Sequence, residues 1–370
     1  MLKKVLHNKG YTLRTKNTHK IALVCLILLT ACDPFNTKLT DHDVTFYQAS
    51  QLQIPDNKDS LMIMTWNLKF GGGRIDFFFD CIGNRVIMKK DEVINNLKGI
   101  THFIAQTTPD ILMVQEIDTD SKRTAFVDQV QWLLDHTHFN YAVYAPQWKA
   151  SHIPSNGLGR INSGLAIFSQ YPLSKAQRIA LPQIKEQNAF VRYFYLKRCL
   201  LDCEINLNGE TIRLLTTHTE AYSNDGTKKK QLNVIRQHLQ TIKQTFIFAG
   251  DLNSLPPGTL KTKGFPDSFC TNGDFEADDY SEETDWMKPF YDQYSSAVPI
   301  NNYVKNNTAY FTHTVDGRGF WNRKLDYIFT NKNFIPNSNI TWQNKDNGGI
   351  ETMRLSDHCP VSVKISTNSF

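Results

Sequence analysis

Six short stretches of the chain end an apolar run on a residue that can move a proton, hold a hard cation or donate to an anion. They are TWNLKF (65–70), LMVQEID (112–118), LTTHTEA (215–221), FAGDLNS (248–254), KLDYIFT (324–330) and LSDHCPV (355–361). FAGDLNS is the most compact: Asp251 can take a proton or hold a cation, and Asn253 can donate to a phosphate oxygen. Taken singly, each residue has a plainer explanation. Asn67 reads as a turn former, Glu116 and Asp118 as a helix-entry charge pair, His218 as a half-buried histidine, and Asp357 as a cap of the turn before Pro360. Taken together, oxygen donors and histidines without a cysteine cluster describe a hard-cation site rather than a zinc site.

These residues need strands that stop where they stand. LMIMTW (61–66), ILMVQ (111–115), GLAIFS (164–169), ETIRLLTTH (210–218), QTFIFAG (244–250), KLDYIFT (324–330) and PVSVKI (360–365) have strand length and apolar content. Between the first two, residues 91–106 place Val93, Ile94, Leu97, Ile100, Phe103 and Ile104 on one helical face. A second helix, capped by Asp120 or Ser121, would carry Phe126, Val130, Leu133 and Leu134. A third spans 228–243, with Leu232, Ile235, Leu239 and Ile242 facing inward. Strands interleaved with helices and no repeat period predict an α/β fold of sheets covered by helices. Segment 255–323 is turn-rich, holds an acidic stretch from Asp274 to Asp285, and reads as a solvated insertion or as a substrate-shaping loop.

At 370 residues, 41% hydrophobic and 12% aromatic, the chain can bury a large core. Its formal charge of +5 is a feature of the N-terminus: residues 1–31 hold six Lys or Arg and no acid, which leaves −1 for the remainder. Bulk charge therefore argues neither for nucleic acid nor against it. A basic stretch ending at Lys20 precedes the apolar run 21–29 and then Thr30-Ala31-Cys32. The run is shorter than the ~20 residues that span a bilayer and suits a signal-peptide core. LTAC (29–32) resembles a bacterial lipobox, which would make Cys32 the lipid-modified first residue of the mature chain. The expected layout is a lipoprotein signal peptide (1–31), a tether (32–60) and one catalytic domain (61–370). The protein would be exported and lipid-anchored to the bacterial envelope, on its periplasmic or cell-surface side.

Cys81, Cys199, Cys203, Cys270 and Cys359 remain in the body, an odd number. Cys199 and Cys203 on one strand would stand about 13 Å apart at ~3.3 Å per residue, beyond the reach of a disulfide. Buried free thiols are the expectation.

In this order the six motifs resemble those of the endonuclease/exonuclease/phosphatase superfamily of metal-dependent phosphodiesterases and phosphatases, from about Leu61 to Ile365. The resemblance implies a four-layer α/β sandwich: two mixed, mostly antiparallel sheets face to face, helices outside, and the site at one end. It implies that Asn67 and Glu116 hold Mg²⁺ or Mn²⁺, with Asp357 contributing directly or through water. Asp251 would orient or deprotonate the attacking water, and Asn253 would hold a phosphate oxygen. Asp326 would fix the tautomer of His358, and His218 would donate to the phosphate or leaving oxygen. Either Asp251 or His358 could be the base. Arg123, just after Glu116, resembles a substrate-phosphate contact of related exported proteins, or else a helix-start salt bridge.

The implied substrate is a phosphoester: extracellular nucleic acid or a phospholipid headgroup. Phe77, Phe78 and Phe79, in the loop after Asn67, read as core or as a membrane-touching patch. No protein partner is implied. Two other readings stay open, a catalytically silent binding module of the same fold and a phosphomonoesterase such as an inositol-phosphate phosphatase.

Overall fold

The computed structural model describes residues 33–56, 58–80, 83–221, 223–265, 279–315, 320–343 and 351–370. The expected signal peptide, Cys32, Cys81, Cys270 and the start of the acidic stretch lie outside them.

Thirteen strands form two sheets in the described residues. In chain order they are β1 (Thr45–Gln48), β2 (Ser60–Asn67), β3 (Ile111–Asp118), β4 (Tyr141–Ile153), β5 (Gly159–Ser169), β6 (Leu173–Ala180), β7 (Cys199–Leu207), β8 (Glu210–His218), β9 (Thr245–Asp251), β10 (Ser295–Ser296), β11 (Asp326–Thr330), β12 (Ile340–Thr341) and β13 (Val361–Ser366). One sheet runs β1-β4-β5-β3-β2-β13-β12 and the other β10-β11-β9-β8-β7-β6. Each holds a single parallel pair, β2 with β3 and β8 with β9; the other pairs are antiparallel. The helices are α1 (Lys90–Thr107), α2 (Gln129–Asp135), α3 (Ala189–Phe194), α4 (Thr227–Thr241), α5 (Lys288–Gln293) and α6 (Ile300–Lys305).

Three buried layers follow from the alternation of the strands. Ile63, Met113, Leu165, Leu201, Leu214 and Ile247 fill the space between the sheets. Trp66, Leu112 and Val114 face the other way and pack on Val93, Leu97, Ile100 and Ile104 of α1 and on Val130 and Leu133 of α2. Phe246, Phe248 and Phe329 pack on Leu232, Ile235 and Leu239 of α4 and on Phe290 of α5. The result is the four-layer sandwich expected. Burial at ~25 cal/mol per Å² of apolar surface makes these layers the dominant favourable term in holding it together.

Three expectations need correction. The second helix starts at Gln129, because Asp128 caps it by accepting from Val130 and Gln131 N–H at 3.1 Å each, and Phe126 stays exposed outside it. The span 32–60 is not a plain tether: β1 lies within it and pairs with β4, Thr45 opposite Tyr144. The described part of 255–323 is not a solvated insertion. Met287 and Phe290 join the layer under α4, while Phe265 and Tyr280 pack with Leu255 and Leu325. The three thiols placed, Cys199, Cys203 and Cys359, are free and buried, as expected. Among the described residues no helix is long and apolar enough to cross a membrane.

Candidate active site

Both parallel pairs are β–α–β crossovers, through α1 and through α4. A crossover returns the second strand in the same direction, so Asn67 and Glu116 reach one end of their sheet together, as His218 and Asp251 do in theirs. Asn67 pairs with Gln115, and His218 with Asp251. Asp326 opens β11 directly opposite Asp251. His358 sits just before β13, its carbonyl accepting from Trp66 Nε1 at 2.9 Å.

Local backbone chemistry aims these groups. The β3–β5 register slips between Val114 and Ile117, and Glu116 on that bulge has φ 53°. A bulge re-aims a side chain, and here it turns Glu116 toward the site. Before Asp251, Gly250 has φ 153°, and a Cβ there would stand 2.1 Å from the Thr217 carbonyl oxygen. Only glycine lets β9 lie that close to β8 at this point. Asn253 follows with φ 45°.

Asp251 is where the groups converge. Its Oδ2 accepts from Asn67 Nδ2 at 3.1 Å and lies 3.4 Å from His218 Nε2 and 3.5 Å from His358 Nε2. Its Oδ1 accepts from Asn253 N–H at 3.0 Å. Burial raises Asp251 to about 7; the Asp326 charge adds to this, while His358 and the Asn67 hydrogen bond oppose it. His358 Nδ1 faces Asp326 Oδ2 at 2.8 Å. Burial disfavours its charged form, but the Asp326 and Asp251 carboxylates outweigh that and lift it to about 10. His358 is therefore an imidazolium between two carboxylates. His218 goes the other way: burial first, then Arg198 and His358, hold it well below the ordinary range and keep it neutral.

On the other side of Asn67, its Nδ2 donates to Glu116 Oε1 at 3.2 Å. Burial and the neighbouring Asp357 charge raise the proton affinity of Glu116. Asp357 itself is held low: burial opposes ionisation, but Lys69, His358 and Arg74 outweigh it. Ser356 locks this corner by donating to the Asn67 carbonyl at 2.7 Å.

Residues 64–358 match the endonuclease/exonuclease/phosphatase family. The chain belongs to that family. An endonuclease/exonuclease/phosphatase of Beutenbergia cavernae DSM 12333 is similar in structure, with a TM-score of 0.57 and 17% identity over 84% of this chain and 72% of that one. A humanized D. rerio TDP2 bearing 14 mutations is also similar, with a TM-score of 0.52 and 16% identity over 84% of this chain and all (100%) of that one. At these identities the likeness is one of fold. No curated protein matches the sequence.

The endonuclease/exonuclease/phosphatase family is divalent-metal dependent, and the residues here fit such an ion. Glu116 and Asp357 are carboxylates whose charges oppose each other in one half-buried corner, an excess that a dication would relieve. Asp326 Oδ1 and the Nδ1 atoms of His218 and His313 are buried without a hydrogen-bond partner.

Three of the expected site residues also hold contacts within the chain. Asn67 presents its amide, not its oxygen, to Glu116 and Asp251, because Oδ1 accepts from Lys69 N–H at 3.0 Å. Asn253 donates to the Thr219 carbonyl at 3.1 Å and so braces the ends of β8 and β9. For Arg123 the salt-bridge reading holds, with Asp118 as the partner. Buried, it gives Nε and Nη2 to Asp118 at 2.8 Å each, donates to Ser163 Oγ at 3.0 Å, and lies 3.7 Å over the Phe70 ring.

Three site residues were not singled out from sequence. Lys69 is buried with its ammonium 3.0 Å from Asp80 and 3.8 Å from Asp357, a fixed cation beside the carboxylate corner. His313 packs against His358, the rings tilted by 44° with centroids 4.3 Å apart. Gln115 crosses between the sheets to donate to Thr216 Oγ1 at 2.9 Å. The position of Lys69 two residues after Asn67 was a signal in the sequence; His313 and Gln115 gave none.

Proposed function

We propose that the protein is a divalent-metal-dependent phosphodiesterase, acting outside the cytoplasm on nucleic acid or phospholipid headgroups. The observation that carries this is the convergence on Asp251 of three nitrogen groups, with one of them, His358, locked in turn by Asp326. Asp251 is a base with a proton affinity near neutrality, which suits it to take a proton from an attacking water at physiological pH. The His358 imidazolium, oriented by Asp326, supplies fixed positive charge for the phosphoryl oxygens. His218, neutral, offers one N–H to the phosphate or the leaving oxygen. Held by Glu116 and Asp357, Mg²⁺ or Mn²⁺ would neutralise charge developing on the phosphoryl group. Asn67 orients Glu116 and Asp251 relative to each other through its amide.

The complete set of donors supports an active enzyme over a silent binding module. Export and anchoring through Cys32 rest on the signal-peptide pattern and LTAC, and Cys32→Ser should move the protein from the membrane fraction to the soluble one. The activity is tested with a chromogenic bis-aryl phosphodiester, with Mg²⁺ or Mn²⁺ and then with chelator. Turnover that the chelator abolishes is expected. Folded protein inert with every divalent metal would overturn the reading.

A further inference from the structure

The described chain begins at Asp33, the residue after Cys32, and that beginning is pinned beside the site. Tyr193 donates its hydroxyl to Asp33, whose carboxylate also accepts from Lys38 N–H at 2.6 Å. Phe35 lies edge-on to Phe194 at 5.2 Å, and its carbonyl accepts from Ser151 N–H at 2.7 Å. Tyr193 and Phe194 belong to α3, and α3 leads into the start of β7, where Leu200 pairs with Thr217 next to His218. In that connection Arg198 stands 3.9 Å from Glu220, and its charge helps hold His218 neutral. Asp33 and the catalytic residues are therefore at one end of the sandwich.

The same end is apolar on its outside. Phe35, Phe78, Val86 and Phe194 join one small cluster over the β4–β5 hairpin, separate from the three main layers. Their sequence neighbours point outward: Phe190 and Val191 on α3 are 68% and 42% exposed, and Phe79 and Ile87 are exposed beside Phe78 and Val86. Phe79 sits in the loop that leaves β2 after Asn67, its ring 5.3 Å from Phe78. An exposed apolar patch bordered by an aromatic cluster marks an interaction surface.

The −1 net charge outside residues 1–31 gives the body no bulk attraction to anionic lipid. Apolar insertion remains. A lipid anchor fixes a protein's distance from the bilayer but not its orientation; an apolar rim adjoining the anchor fixes both.

We infer that the end of the sandwich bearing α3, Phe79 and Ile87 docks on the membrane surface, and that the substrate is a phospholipid headgroup presented there. This rests on the phosphodiesterase reading above and on acylation of Cys32. With the anchor in place, α3 seats at the boundary between headgroups and acyl chains, and the mouth of the site faces the bilayer.

The test uses Cys32→Ser protein without the signal peptide 1–31, and so without the acyl anchor or the apolar run 21–29, with phosphatidylcholine vesicles in chelator. Co-sedimentation that persists at raised salt is expected. Phe190→Ser with Val191→Ser should weaken partition roughly tenfold, because two apolar side chains no longer leave water. The pair should leave turnover of the soluble bis-aryl diester within about twofold, which also controls for folding, and should lower vesicle phospholipid hydrolysis by the same roughly tenfold. Vesicle binding unchanged by the pair, or none by the parent, would overturn the inference. So would salt-sensitive binding and cleavage of plasmid DNA with vesicles ignored, or a dimer by light scattering that the pair converts to monomer. A parent inert on the soluble diester yet bound to vesicles through Phe190 and Val191 would instead sink the catalytic reading and support the docking face.

Discussion

Asp326→Asn isolates the positioning of His358. Asp326 is fully buried, its Oδ2 is 2.8 Å from His358 Nδ1, and its Oδ1 has no partner to lose. The carboxamide keeps size and an acceptor, so the substitution removes charge rather than contact. A hydrogen bond to a charged group is worth about 1.5–3 kcal/mol and a neutral one about 0.5–1.5, so the loss is roughly 1–2 kcal/mol. At about 1.4 kcal/mol per decade, kcat on the bis-aryl diester should fall roughly 5- to 30-fold. KM should stay unchanged, because Asp326 acts through His358. The decisive control is the same change in a His358→Gln background, where it should cost under about twofold, since residues acting as a unit are not additive. An unchanged kcat in the single variant would refute the reasoning, as would an undiminished loss in the double one.

Three further outcomes follow from the geometry. Arg123→Met leaves Asp118 buried without its guanidinium and should destabilise the fold by about 3–5 kcal/mol in urea titration; a raised KM at unchanged stability would return Arg123 to the substrate. Burial holds His138 below its ordinary range, against the hydrogen bond between its Nε2 and the Pro109 carbonyl at 2.7 Å. The folded pKa is the lower one, so the unfolded chain takes up the proton first. That contribution to stability is full above about 6.5 and lost as pH falls below it. His138→Gln should therefore flatten the fall in urea midpoint between about pH 7 and 5; an equal slope would contradict this. Cys199, Cys203 and Cys359 are buried with their thiols pushed up, so their peptides should label with iodoacetamide only in urea.

The strand ends were legible because an apolar run that stops on Asn67, His218 or Asp251 cannot be burying that polar residue as ordinary core. α1 and α4 were legible from their apolar faces alone. β4 was not: Pro146 interrupts it, and a central proline argues against a strand. The register slip between Pro146 and Trp148 absorbs it, a feature of pairing with β5 that no local pattern carries. β1 is short and exposed on both faces, so it shows no alternation. Arg123 stayed open between two readings because a cation after Glu116 looks the same whether it meets a phosphate or Asp118 across the turn. His313 reaches the site through an isolated bridge to His358, 45 residues away in sequence, a contact only the folded chain creates.

The central claim is that Asp251 does the chemistry while other groups hold the metal. Asp251→Asn should bind Mn²⁺ by calorimetry as the parent does and lose roughly 10³-fold or more in kcat on the bis-aryl diester at saturating Mn²⁺. Undiminished turnover by that variant with its metal bound would contradict the account.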